Sequence, residues 1–276
     1  NPISFDTNIW NNTKTLAYWK YDDSAQLGKD SHTWAIRLEQ IRAALNGQVG
    51  DRKLRLGIAG GEWLKMVGNE TARTNFANNV KNVLDKYNMD GVDLDFEWAY
   101  YASDLTNYSK AIVKLRNVLG KNVFFTVSLH PVSYKISKEA IAAVDFISLQ
   151  CYGPSPVRFP VEKYCSDIQM VLKYGIPKEK LVAGVPFYGV TKDNSKKTEA
   201  YFSFVQNGLI TSPAENEVNY KGEVYVFDGQ DNIRIKTRYA KEQGLKGMMS
   251  WDLATDLPLD NSQSLLKAMI EELNKE

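Results

Sequence analysis

The chain has 276 residues with 34 basic and 33 acidic side chains, a formal charge of +1. No basic stripe marks a nucleic-acid partner, and no apolar run is long enough to cross a membrane. The length suffices for one large barrel or two smaller domains. Two cysteines, Cys151 and Cys165, are too few for a disulfide framework and lack metal-ligand spacing, so no metal or other cofactor is expected. Six tryptophans and fifteen tyrosines are many for this length, which suits a large core and a sugar-stacking cleft alike.

The chain opens on Asn1-Pro2 without Met or an apolar leader. It reads as a processed or trimmed form, and export, to the periplasm or outside the cell, is the expectation. Asn11, Asn69 and Asn107 lie in N-x-S/T sequons, which matter only in a eukaryotic secretory pathway. Short apolar strands are predicted at 16–21, 54–59, 91–97, 123–129, 144–152, 181–187 and 247–251. Helices between them repeat apolar residues three and four apart, as in Trp34, Leu38, Ile41 and Leu45, or Ile112, Leu115 and Leu119. Gly120, Gly175 and Gly244 stand where helix ends want a left-handed residue.

Strands alternating with helices and no break in composition predict an α/β fold, a (β/α)8 TIM barrel in one domain over 1–276. The eighth strand is sought in 1–10 or 32–38, although the second reads better as helix. A polar stretch at 191–222, with Ser-Pro and Asn-Gly, reads as a short insertion after the seventh strand, either a long loop or a small subdomain. A monomer is expected.

Within this pattern residues 90–98, Asp-Gly-Val-Asp-Leu-Asp-Phe-Glu-Trp, are the most informative. Period-two alternation turns Asp93, Asp95 and Glu97 to one face and Val92, Leu94 and Phe96 to the other. Predicted helices at 75–88 and 104–119 flank the strand, so it belongs to a βα unit covered on both faces. Three like charges pointing into such a core disfavour full ionisation, and a carboxyl group kept protonated beside ionised ones is a general acid. Glu97, last on the strand and nearest the mouth, is the candidate.

Barrel chemistry sits at the C-terminal ends of strands. Those ends carry Tyr18 and Trp19, Gly60 and Gly61 with Trp63, Glu97 with Trp98, His130, Gln150 with Tyr152, Tyr188, and Trp251 with Asp252. His130 reads as a structural histidine rather than a catalyst, and Cys151 as buried and inert. One acid among aromatics outlines a carbohydrate site. Asp95 and Glu97 rise from one strand roughly 6.6 Å apart, too close in direction to flank a scissile bond from both sides. The nucleophile must then come from elsewhere, and a substrate 2-acetamido carbonyl is the recognised substitute.

The DGxDxDxE pattern from Asp90 to Glu97 resembles that of glycoside hydrolase family 18, the chitinases and endo-β-N-acetylglucosaminidases. Ile58-Ala59-Gly60-Gly61, Phe124-Thr126-Val127, Gly184-Val185-Pro186-Phe187-Tyr188-Gly189 and Gly247-Met248-Met249-Ser250-Trp251-Asp252 resemble further strands of that family in the same order. The resemblance implies that Glu97 is the acid/base, that Asp95 orients the acetamido group with help from Asp93, and that Tyr152 hydrogen-bonds its carbonyl. It implies that Trp251 floors the sugar, with Gln150, Trp98, Tyr18 and Tyr188 as further substrate contacts, and that products retain their anomeric configuration.

Two departures bear on the substrate. Gln150-Cys151-Tyr152-Gly153 replaces the family's common Met-x-Tyr-Asp, which removes one sugar contact, and Ala59 replaces a Ser. The short insertion implies an open groove and internal cleavage. The expected partner is chitin or another N-acetylglucosamine-containing oligosaccharide. Alternatives are cleavage in the chitobiose core of N-glycans, a peptidoglycan substrate, and a lectin-like relative that binds without cutting. An outside alternative has Asp93, Asp95 and Glu97 gathering Mg²⁺ or Ca²⁺.

Overall fold

The computed structural model describes residues 53–59, 63–97, 99–153, 159–193 and 197–275. The chain divides into two compact units, one ending at Ile147 and the other beginning at Ser148. The strand expected at 16–21, the helix around Trp34 and both candidate positions for the eighth strand lie outside the described residues.

In the first unit, β1 (Arg55–Ile58), β2 (Gly91–Leu94) and β3 (Phe124–Leu129) lie side by side in chain order, all parallel. Between β1 and β2 run α1 (Trp63–Gly68) and α2 (Glu70–Tyr87), and between β2 and β3 runs α3 (Ala102–Leu119). Helix α2 starts five residues before its expected position because Asn69 caps it, its side chain accepting from the Ala72 amide at 2.9 Å. Its buried face, Phe76, Val80, Val83 and Leu84, repeats every three or four residues, and it ends on Asn88 in the left-handed region at φ 48°. Helix α3 buries Tyr108, Ile112, Leu115 and Leu119 on one stripe. Its Arg116 donates to the Ala143 and Val123 carbonyls at 2.6 and 2.7 Å and pairs with Asp145 at 2.8 Å. Asp145 in turn accepts from the Phe125 amide at 2.7 Å, which ties α3 to the base of β3. Helix α4 (Lys138–Ala143) leads to β4 (Phe146–Leu149), which carries the chain across to the second unit.

Strand β2 is shorter than expected: it ends at Leu94, so Glu97 does not close the strand. The Asp95 amide still donates to the Ile58 carbonyl at 2.8 Å, and beyond Leu94 burial alternates, with Phe96 5% exposed between half-buried Asp95 and exposed Glu97. The face assignment therefore holds past the last ladder bond. Close approach of β2 to β3 depends on Gly91, where an added Cβ would meet the Phe124 carbonyl oxygen at 1.9 Å. Gly91→Ala is expected to cost about 3 kcal/mol, the upper end of overpacking penalties, because a backbone oxygen cannot swing aside. The readout is a lower urea midpoint at unchanged slope; an unmoved midpoint would mean that the two strands part freely.

In the second unit, α5 (Val161–Tyr174) precedes β5 (Leu181–Pro186). Residues 188–226 form an antiparallel sheet of β6 (Tyr188–Thr191), β7 (Thr198–Ala200), β8 (Glu217–Tyr220) and β9 (Glu223–Val226), in the order β7-β6-β9-β8, with α6 (Tyr201–Gln206) after β7. The stretch read as a long loop or a small subdomain is thus built of short elements. Helix α7 (Gln230–Glu242) then leads to β10 (Gly247–Trp251), parallel to β5, and α8 (Leu265–Leu273) follows. Lys236 of α7 and Asp228, 2 and 0% exposed, form a buried pair at 2.6 Å, and the Lys236 ammonium also donates to the Phe159 carbonyl at 2.8 Å.

Candidate active site

The parallel register sets Asp93 of β2 between Gly57 of β1 and Thr126 of β3. Asp93 is 8% exposed and well partnered. Its Oδ1 accepts from Thr126 Oγ1 at 2.5 Å and lies 3.3 Å from Arg55 Nη1, while Oδ2 accepts from Ser128 Oγ at 2.8 Å. Arg55 is itself 5% exposed, donates to Thr126 Oγ1, and rests over the Phe146 ring at 5.1 Å. A permanent cation therefore stands at the deep end of the carboxylate row, a partner the strand pattern alone does not reveal. Asp95 is half-buried, and Glu97 is exposed. Burial, and after it the charges of Asp93 and Asp95, push the Tyr108 phenol well above its ordinary range.

Glu97 is held from two directions. Its carbonyl oxygen accepts from the Trp63 indole at 3.2 Å, and its Oε1 lies 2.6 Å from His130 Nε2. Trp63 stacks on Phe96 with ring centroids 5.2 Å apart, so the residue preceding Glu97 is packed as well. The structure thus sets His130, read from sequence as structural, directly against the candidate acid. A sequence signal for it exists. From Phe125 to His130 the chain alternates apolar and polar with the period of the acid row, which sets Thr126, Ser128 and His130 on one face. Thr126 and Ser128 meet Asp93, and His130 meets Glu97.

Asp95, Glu97 and His130 bring one ligand atom each within 4.8 Å of one another. Two carboxylates and an imidazole are a poor set for Mg²⁺ or Ca²⁺, which take oxygen ligands. The grouping differs from the Asp93, Asp95 and Glu97 set considered from sequence, since Arg55 engages Asp93.

In the second unit Tyr152 is 5% exposed, packs edge-on against Tyr188 at 6.4 Å, and points its hydroxyl at Met249 Sδ, 4.0 Å away. Gln150 is buried, and Tyr188 and Trp251 are half-buried. The Trp251 carbonyl accepts from the Phe187 amide at 2.7 Å, and the Trp251–Asp252 peptide is cis. Cys151 is buried and free, and burial pushes its thiol up to about 12, in keeping with an inert residue. Tyr18 and Trp98 lie outside the described residues.

Residues 15–256 match the model of glycosyl hydrolases family 18. A class V chitinase of Arabidopsis thaliana is 27% identical over 270 residues, covering 76% of this chain and 70% of that protein. The chain spans less than two thirds of the length of several further curated relatives. The crystal structure of a chitinase from Bacteroides thetaiotaomicron is similar with a TM-score of 0.79 at 20% identity, over 95% of this chain and 87% of that one. A chitinase from Cycas revoluta in complex with (GlcNAc)3 has a TM-score of 0.72 at 20% identity, over 90% of this chain and 87% of that one. These likenesses give the fold as the (β/α)8 barrel.

Proposed function

The chain belongs to family 18 of the glycosyl hydrolases as a chitinase-like member, and on that premise we propose that it cleaves β-1,4-linked N-acetylglucosamine, in chitin or its oligomers, by a retaining, substrate-assisted route. The observation that supports this best is the graded row of acids. Asp93 is buried against Arg55, Asp95 is half-buried, and Glu97 alone is exposed. Of the three, Glu97 is the one able to meet a glycosidic oxygen.

In this reading Glu97 protonates the leaving oxygen while the acetamido carbonyl of the cleaved sugar attacks the anomeric carbon, so that the glycosidic bond breaks as an oxazolinium forms. Asp95 accepts the acetamido N–H and offsets the developing positive charge, with Asp93 behind it. Water then opens the ring, giving its proton to the Glu97 carboxylate, and two inversions leave the configuration retained. Tyr152 and Trp251 keep the roles that the family resemblance implies, a hydrogen bond to the acetamido carbonyl and a floor for the sugar. Action on a polymer too large to enter a cell accords with export.

Oligomers lacking the N-acetyl group at the cleaved sugar are expected to be inert, and a thiazoline mimic of the oxazolinium is expected to inhibit competitively. Mass spectrometry decides the point: a sugar trapped covalently on Asp95 would sink the substrate-assisted route. Turnover is expected to survive a chelator, and its loss would revive a metal role. A hexamer should be cut at internal bonds to dimer, trimer and tetramer. Cleavage of a high-mannose glycopeptide but not of chitin oligomers would transfer the reading to N-glycans, and binding without any cleavage would make the protein lectin-like.

A further inference from the structure

Within the first unit the loop after β2 and the turn after β3 are tied twice. One tie is the Glu97 to His130 contact at 2.6 Å. The other runs from the Ala99 amide to Ser133 Oγ at 3.1 Å, with the Ser133 amide returning to the His130 carbonyl at 2.8 Å in a short antiparallel bridge. The His130 side chain is 5% exposed and that of Glu97 37%. The imidazole is therefore the fixed member of the pair and the carboxyl group the one that has to be aimed. With Oε1 on the imidazole, Oε2 is the oxygen turned to other work.

We propose that His130 is the positioning residue of Glu97, holding Oε1 through Nε2–H so that the transferable proton sits on Oε2. This deepens the hydrolase reading and rests on it. A histidine that only filled space would need no polar atom facing the acid, and phenylalanine would replace it. A donor to Oε1, by contrast, serves both halves of the cycle. It fixes which oxygen carries the proton in the acid step, and it stays bonded when Glu97 becomes the carboxylate that takes a proton from water. Aim matters because a displacement of about 1 Å can cost 10²-fold in rate.

The test compares His130→Phe, which keeps bulk, with His130→Gln, whose amide restores a donor, on two substrates: a chitin tetramer, whose leaving oxygen needs the proton, and a 4-nitrophenyl chitobioside, whose leaving group does not. His130→Phe is expected to lose about 10- to 100-fold in kcat on the tetramer with KM within about twofold, and much less in kcat/KM, which reports the bond-breaking step, on the aryl glycoside than on the tetramer. His130→Gln should recover most of the loss. Equal losses on both substrates, equal losses in both variants, or no loss at all would overturn the proposal.

A second measurement needs no turnover and no substitution at His130. The chain has only two histidines, His32 and His130, so imidazole proton and nitrogen resonances are simple to assign. In the wild-type protein, at a pH high enough for Glu97 to be the carboxylate, the His130 Nε2–H should resonate downfield, and Glu97→Gln should move it upfield as a charge-assisted bond becomes a neutral one; an unmoved resonance refutes the contact. If the wild-type protein cleaves no N-acetylglucosaminide at all, the hydrolase reading falls, and this spectrum still decides whether His130 holds the Glu97 carboxyl group.

Discussion

Glu97→Gln is expected to lower turnover on N-acetylglucosamine oligomers by about 10²- to 10⁴-fold, the usual size of a general-acid contribution, while leaving oligosaccharide affinity largely intact. The amide matches the carboxyl group in shape, and the Trp63 indole bond goes to the backbone carbonyl, which the substitution does not touch. The His130 contact also has an acceptor in the amide oxygen, so the loop should stay in place. What is lost is a proton that can leave for the glycosidic oxygen. Kinetics on a chitin tetramer with calorimetric binding separates the two terms. A variant keeping more than about a tenth of wild-type turnover would remove Glu97 from this role.

Much of this arrangement was legible in the chain because it repeats along it. Alternation from Val92 to Glu97 gave the face of each residue even though the strand ends at Leu94, since the Asp95 amide still bonds the Ile58 carbonyl and Phe96 stays buried between half-buried Asp95 and exposed Glu97. Gly120, Gly175 and Gly244 take φ values of 76°, 112° and 67°, as their places after helices demand. Contacts between elements were not legible in the same way. Nothing local to Arg55 says that its guanidinium reaches Asp93, 38 residues on, and the alternation from Phe125 to His130 gives the face of His130 but not that it meets Glu97, 33 residues back. Elements within 191–222 could not be assigned from sequence, which left a long loop and a small subdomain open, because they are short and the hairpin turns on Lys221-Gly222, both at positive φ, rather than on an Asn-Gly pair. The Asn-Gly that is present, Asn207-Gly208, ends helix α6 instead, with Gly208 at φ 67°.

The second large effect is expected at Arg55, whose guanidinium answers the deepest charge of the row. Arg55 and Asp93 side chains are 6 and 11% exposed, so water can do little for either charge once its partner is gone. Arg55→Met keeps much of the volume and the packing on Phe146 but leaves the Asp93 carboxylate, among the described residues, with Thr126 and Ser128 as donors. Removing one partner of a buried pair costs about 3–5 kcal/mol, visible as a lower denaturant midpoint. The double variant Arg55→Met, Asp93→Leu removes both charges and should cost well under the sum of the two single losses, because replacing a whole buried pair by apolar groups is often close to neutral. The double-mutant cycle separates charge from packing: additive losses would mean that Arg55 acts through its contacts with Phe146 and Thr126 and not as the counter-charge of Asp93. With that counter-charge in place the row presents its remaining carboxylates, Asp95 and Glu97, toward the exposed end, where the proposed proton transfer needs them.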